Sequence, residues 1–245
     1  MSKTIAAQSC SFGKRIDFHT HILPGMDDGS ASVEMSMEML GASVQQGVRA
    51  VVLTPHFYAT SDDPRHFLEK RNARMALLKS RYPQKVPLLL AGAEIHYFDG
   101  LVSMQQLPLM RIENTRGLMI EMPMNKWSQR MIYDIMELNR QRDYQVILAH
   151  IERYLPFDNR QALRQLASDG VMMQVSSGAF SGLFRSANML KLLDEGLLHI
   201  LGSDCHNMTS RPPNLSDAYT LIERKRGTGA VKQIMENGLR LFSMK

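Results

Sequence analysis

"IDFHTHILPGMDDG", residues 16–29, packs two histidines and two aspartates into one short run of a 245-residue chain that has only 8 histidines. The run opens like a β-strand. Side chains alternate across a strand, so Asp17, His19 and His21 are expected on one face and Phe18 and Thr20 on the other. Two imidazoles on a shared face can close on a single ion. Imidazole suits borderline transition metals and carboxylates bring in harder ones, so this mixed set points to zinc, manganese or iron without choosing among them. One histidine on a strand is more often a hydrogen-bonded structural residue, and the metal reading therefore depends on what the rest of the chain supplies.

It supplies "LTPH" (53–56), "GAEIH" (92–96), "MIEMP" (119–123), "ILAHIER" (147–153) and "GSDCHN" (202–207). Each closes an apolar run. Seven strand candidates follow, at 15–21, 49–56, 87–97, 117–123, 144–150, 170–176 and 198–204. Amphipathic helices are expected at 30–46, with Val33, Met37, Leu40 and Val44 on one face, and at 64–81, 126–142, 158–168 and 187–195, with two more segments at the C-terminus. Strand and helix in alternation predict an α/β fold with a parallel sheet, closed or nearly closed as a barrel, with a doubly wound open sheet as the alternative. His19, His21, His56, Glu94, Glu121, His150, Asp204 and His206 all fall at or just past C-terminal strand ends. That rim is where parallel α/β folds build their active sites.

Composition sets the class. A net charge of +5, from 29 basic and 24 acidic residues spread along the chain, gives no nucleic-acid-binding tail or polybasic anchor. Two cysteines, Cys10 and Cys205, make no disulfide framework, and no apolar run approaches the roughly 18 residues that span a bilayer. A cytoplasmic protein with no membrane insertion and no nucleic-acid partner is expected. The 19 methionines read as core filler.

In their order and wording these motifs resemble the PHP (polymerase and histidinol phosphatase) superfamily, and specifically its CpsB/YwqE-type branch of manganese-dependent bacterial protein-tyrosine phosphatases linked to capsular polysaccharide. The resemblance runs from Arg15 onward. It implies a single-domain, distorted (β/α)7 barrel of the PHP type over 15–245, preceded by an N-terminal extension over 1–14. It also implies nine ligands for three divalent ions, manganese first and iron or zinc otherwise: His19, His21, Asp28, His56, Glu94, Glu121, His150, Asp204 and His206. Arg153 and Arg211 match the family's phosphate-binding arginines. Five neutral imidazoles and four carboxylates carry −4, which three divalent ions convert to +2, an environment that attracts a phosphate dianion. The implied reaction is metal-assisted hydrolysis of phosphotyrosine on protein, with the tail of a bacterial tyrosine kinase controlling capsular or exopolysaccharide biosynthesis as the expected partner; the oligomeric state is left open. Ile151 and Ala93 depart from the family pattern beside the site without removing a ligand.

Three other readings compete: a small-molecule phosphatase of the histidinol-phosphate type, an amidohydrolase, and a noncatalytic scaffold. Glu121 stands where an amidohydrolase often has a bridging lysine, and a scaffold has no chemical need for all eleven site residues. Cys205 to Arg211, "CHNMTSR", also satisfies the C-x5-R spacing of cysteine-dependent phosphatases. That loop lacks glycine and runs into Pro212 and Pro213, so Cys205 is not expected to be a nucleophile. Asp17 is expected to orient a histidine or serve as a structural acid, His96 to touch substrate or line the rim, and Glu152 to lie behind the site or in solvent. His66 is expected to be exposed, His199 structural, and the "ERKRG" cluster at 223–227 a solvated helix end.

Overall fold

The computed structural model describes residues 15–82, 87–141 and 143–243, so the expected extension over 1–14, with Cys10, lies outside the described residues. All seven expected strands form. They are β1 (Arg15–Thr20), β2 (Val48–Leu53) continued by β3 (His56–Phe57), β4 (Leu88–Ala91) continued by β5 (Glu94–His96), β6 (Gly117–Glu121), β7 (Gln145–Leu148), β8 (Met172–Ser176) and β9 (Ile200–Gly202). Every pairing is parallel and neighbours follow chain order, β1-β2-β4 on one side and β3-β5-β6-β7-β8-β9 on the other.

Two strands break in the middle for a local reason. Pro55 has no N–H to give to a ladder, so β2 stops before it. Thr54 bridges the gap by bonding Thr20 through both its amide (2.9 Å) and its hydroxyl (3.2 Å). Beyond the break, Glu94 N–H donates to Pro55 O (3.0 Å) and pairing resumes.

The ring closes between first and last strands. A parallel bridge joins Thr20 to Cys205, Asp204 N–H donates to His19 O (2.8 Å), and His21 N–H donates to Cys205 O (2.9 Å). Gly202 makes this approach possible, because a Cβ there would stand 2.5 Å from the His19 Cβ. The closed parallel ring is the distorted seven-stranded (β/α) barrel expected from the sequence.

Helices cover the outside. The main ones are α1 (Val33–Gln45), α2 (Pro64–Arg81), α3 (Gln129–Arg140), α4 (Arg160–Ser168), α5 (Leu183–Asp194), α6 (Leu215–Arg226) and α7 (Thr228–Ser243). Local chemistry starts them: the Ser32 hydroxyl accepts from Met35 N–H, Ser128 from Met131 N–H, and Asp63 caps α2 through Arg65 and His66 N–H with Pro64 at its first position. Of the expected face of α1, Leu40 is buried and Val33 and Met37 pack partly buried against the core, while the other buried residues are Ser36, Met39 and Ser43. Both serines bury because their hydroxyls return to backbone carbonyls, Ser36 to Ile22 O (2.6 Å) and Ser43 to Met39 O (3.0 Å), and their small size lets the helix approach the sheet.

Apolar residues divide into two clusters. Alternate sheet residues such as Val51, Leu53, Leu118, Ile120, Val146 and Leu148 pack with the helices. Ala50, Val52, Leu90, Met119, Ile147 and Ile200 form a second cluster with Phe18 and with Leu241 of α7. Register slips in β1 between Asp17 and Thr20. Asp17 consequently does not join His19 and His21, and its carboxylate accepts from Ser203 N–H (2.7 Å) instead.

Candidate metal centre

Backbone turns at the C-terminal rim aim the polar side chains inward. After β1 the chain folds back so tightly that a Cβ on Gly29 would stand 2.2 Å from His21 O. This return carries Asp27 Oδ2 to His21 Nδ1 (2.7 Å) and to His56 N–H (3.0 Å). Across the barrel, His150 (φ 31°) and Asp204 (φ 54°) occupy the left-handed region that side-chain-bearing residues avoid. Hydrogen bonds hold both there: His150 N–H donates to Gln174 Oε1 (2.7 Å) and Asp204 N–H to His19 O (2.8 Å).

Glu94, fully buried, is the hub. Its Oε2 lies 3.1 Å from His19 Nε2, 3.3 Å from His21 Nε2 and 3.0 Å from His56 Nδ1, while Oε1 lies 2.8 Å from His150 Nε2. His150 Nε2 is also 3.4 Å from Glu121 Oε1. Asp204 Oδ1 reaches 3.6 Å from His19 Nε2 and 3.5 Å from His21 Nε2, and Arg211 Nη2 meets it at 2.8 Å. Arg153 pairs with the other Asp204 oxygen. Asp28, 67% exposed at the mouth, places Oδ1 3.3 Å from His206 Nε2 and 3.6 Å from His56 Nε2. All nine expected ligands and both expected arginines thus meet in one place.

Hydrogen bonding indicates what the cage lacks. Gln174 Oε1 accepts from the His150 amide, so the His19 Nδ1 3.0 Å away carries its proton and His19 Nε2 is a bare lone pair. Asp27 likewise draws the proton of His21 to Nδ1, and Asp204 O draws that of His206 to Nδ1 (3.0 Å). In the neutral imidazoles that ligation needs, two Nε2 lone pairs then face each other at 3.1 Å and face Glu94 as well. Glu94 Oε2, His56 Nδ1 and His206 Nε2 are buried with no hydrogen-bond partner. Acceptors crowding acceptors in a dry site are satisfied by cations between them, protons in the metal-free protein and metal ions once ligated. Among the described residues, three overlapping groups have candidate ligand atoms within 4.8 Å of one another: His21, Asp28, His56 and His206; His19, His21 and Asp204; His56, Glu94 and Glu121. The donor set fits divalent metal ions.

Electrostatics carry the same signature. Burial alone would raise the Glu94 carboxyl, but the His19, His150 and His21 imidazoles crowded against it hold it well below the usual carboxylate range. Asp204 is lowered in the same way by His19, His21 and Arg153 against its own burial. Burial opposes protonation of His150, yet Glu121 and Glu94 push it up to about 9. His206, desolvated and beside His21 and Arg211, falls to about 4. Burial and the Glu121 and Glu94 carboxylates push the Tyr58 phenol up to about 12.

The remaining candidates sort cleanly. His96 Nδ1 sits 3.1 Å from Glu121 Oε2 at the rim. The Glu152 carboxylate accepts from Ser176 N–H at 3.3 Å, behind the site. His66 is exposed, the His199 Nδ1 accepts from Met173 N–H (2.9 Å), and Arg226 of the basic cluster pairs with Asp194. Cys205 is wholly buried, and burial pushes its thiol well up, which leaves no nucleophile. Asp27 and Gln174, which set the two imidazole tautomers, were not anticipated. Their signals were present: Asp27 adjoins Asp28, and Gln174 is the one amide in the apolar run 170–176.

A parallel barrel with a buried imidazole and carboxylate cage at its C-terminal mouth, rimmed by guanidiniums, defines a metal-dependent hydrolase. The family model for capsular polysaccharide synthesis proteins, CpsB/CapC, matches residues 15–242, and the chain belongs to that family. It is 30% identical to tyrosine-protein phosphatase YwqE of Bacillus subtilis, covering 91% of this chain and 89% of the relative. It is also 30% identical to tyrosine-protein phosphatase CpsB of Streptococcus pneumoniae, covering 94% and 98%. Among solved structures, one described with the YwqE and CpsB metal-dependent tyrosine phosphatases superposes with a TM-score of 0.80 at 28% identity, covering 94% of this chain and 95% of the other.

Proposed function

We propose that this chain is a metal-dependent protein-tyrosine phosphatase that dephosphorylates the tail of a bacterial tyrosine kinase governing capsular or exopolysaccharide biosynthesis. The carrying observation is Asp204, whose carboxylate is shared between the imidazole cage and the two guanidiniums. Phosphate binding and metal binding are thereby joined at one side chain. His19, His21, Asp28, His56, Glu94, Glu121, His150, Asp204 and His206 are the proposed ligands. Three divalent ions, manganese first and iron or zinc as alternatives, fit the three overlapping groups. Bound ions supply Lewis-acid stabilisation and bring water's pKa toward neutrality.

The chain's own residues do the rest. Arg153 and Arg211, each somewhat over a third exposed, present several N–H donors apiece toward phosphoryl oxygens. Gln174 and Asp27 fix the imidazoles, so no reorganisation is needed when charge develops. A departing phenolate has a conjugate acid of pKa about 10, far easier to expel than an alkoxide. No covalent intermediate is required, and Cys205 takes no part.

Among the described residues no helix is long and apolar enough to cross a membrane. The cytoplasmic location belongs to the proposal, because a kinase tail is phosphorylated where ATP is made. Purified protein, assayed with manganese and with a chelator, is predicted to hydrolyse a phosphotyrosyl peptide in the metal-loaded state alone and to prefer it over phosphorylated metabolites. Preference for an alkyl phosphate metabolite would favour the small-molecule phosphatase reading. No turnover of any phosphoester with metal loaded would favour the scaffold.

A further inference from the structure

The mouth of the cage carries an aromatic residue that neither metal binding nor phosphate binding uses. Tyr58 follows β3 directly, and its ring centroid lies 5.2 Å from that of His56 and 5.4 Å from that of His96. It is 37% exposed, and its hydroxyl makes no hydrogen bond within the described residues. Among those residues it is the one exposed aromatic ring in contact with a cage imidazole.

Its backbone is pinned despite that exposure. Tyr58 N–H donates to Asp62 Oδ2 (2.7 Å), and Tyr58 O accepts from Ser61 N–H (3.0 Å) and Asp62 N–H (2.8 Å). His96 is held on the other side by its 3.1 Å contact with Glu121. The two rings lie against each other at a tilt of 44°, and the Tyr58 ring is the more exposed of the pair. Arg153 and Arg211 reach the cage from the β7 and β9 ends, whereas Tyr58 and His96 come from the β3 and β5 ends. Phosphoryl-binding donors and the aromatic pair therefore approach the centre from different sides of the barrel mouth.

We infer that Tyr58, backed by His96, forms one wall of the slot for the leaving group's aromatic ring, and so makes the site selective for aryl over alkyl phosphomonoesters. The inference rests on the phosphatase reading and adds to it the element that recognises the ring. A phenyl ring laid against the exposed side of Tyr58 packs in the offset or edge-to-face geometry that aromatic pairs favour, with His96 behind the tyrosine ring holding it in place. An alkyl phosphate has no flat face to offer and gains little. The large exposed ring at this point then serves recognition, since no contact of its hydroxyl serves the fold.

The test compares binding of phenylphosphonate and methylphosphonate, neither hydrolysable, to manganese-loaded full-length protein by calorimetry, for wild type, Tyr58→Ala and Tyr58→Phe. Inorganic phosphate binding serves as the probe of the phosphoryl site, and phosphotyrosyl peptide hydrolysis by wild type is measured on the same samples. The expected result is a phenyl-to-methyl preference in wild type that falls about tenfold in Tyr58→Ala, the scale of one aromatic pair. Tyr58→Phe should restore it. An unchanged preference in Tyr58→Ala, or an equal loss in Tyr58→Phe, overturns the slot while leaving the phosphatase reading intact. If wild type binds none of the three anions and hydrolyses no phosphotyrosyl peptide, the functional reading fails and the slot fails with it.

Discussion

Gln174 Oε1 stands 3.0 Å from His19 Nδ1 and 2.7 Å from the His150 amide nitrogen, so one side chain of β8 sets both the tautomer of a cage imidazole and the backbone of another cage residue. Replacing Gln174 with Leu removes that acceptor and leaves two buried donors unpaired. Unmade buried hydrogen bonds cost about 1–3 kcal/mol, and loss of an outer partner weakens metal binding roughly 10- to 100-fold. Thermal melts and metal titration of Gln174→Leu should show both losses.

Asp27 and Asp28 are adjacent in sequence and separable by experiment. Asp27 accepts from His21 and from the His56 amide in a largely buried position, whereas Asp28 is 67% exposed and touches only His56 and His206. Asp27→Ala should lower metal affinity and also the melting temperature of the metal-free protein. Asp28→Ala should lower metal affinity while the unfolding free energy of the metal-free protein stays within about 0.5 kcal/mol of wild type, as for surface substitutions generally.

Much of this site was legible because its residues sit at strand ends and contrast with apolar runs. His56, Glu94, Glu121 and His150 each terminate such a run, and the seven strands follow from the same pattern. What was hidden depends on contacts made only in the folded chain. The slip in β1, whose Asp17 accepts from Ser203, lies in its pairing with β2 and its bridge to Cys205, which strand alternation does not contain. On α1, Leu40 buries and Val33 and Met37 pack against the core as the pattern predicts, but Ser36 and Ser43 bury with them, because they look polar until their hydroxyls find carbonyls. Gln174 was passed over because an amide inside a strand identifies no partner by itself.

Cys205→Ala should retain turnover, since the thiol is buried and drawn away from thiolate by desolvation. A small-cavity penalty of about 1 kcal/mol is expected in the melt. The folded protein should also resist alkylation by iodoacetamide at this position. Loss of activity in Cys205→Ala with bound metal unchanged would restore the cysteine mechanism.

Metal loading should depend on pH with a fixed sign. The metal-free protein holds His150 protonated up to about pH 9 and raises His21 well above the ordinary imidazole value. Ligation needs neutral imidazole, so binding expels these protons, and affinity rises as pH climbs until His150 is neutral near 9. Each proton displaced contributes about tenfold per pH unit. Calorimetric titrations with manganese at pH 6, 7 and 8, in buffers of different ionisation enthalpy, should show affinity rising across the range with nearly constant proton release, because His150 stays protonated below about 9.

Glu94→Gln tests the central claim most directly, because Glu94 touches His19, His21, His56 and His150. Bound manganese per chain and phosphotyrosyl peptide hydrolysis should be measured on one preparation of this variant beside wild type. The cage account predicts that the variant loses bound metal and turnover together. A Glu94→Gln protein that keeps wild-type metal content and hydrolyses the peptide at the wild-type rate would contradict it.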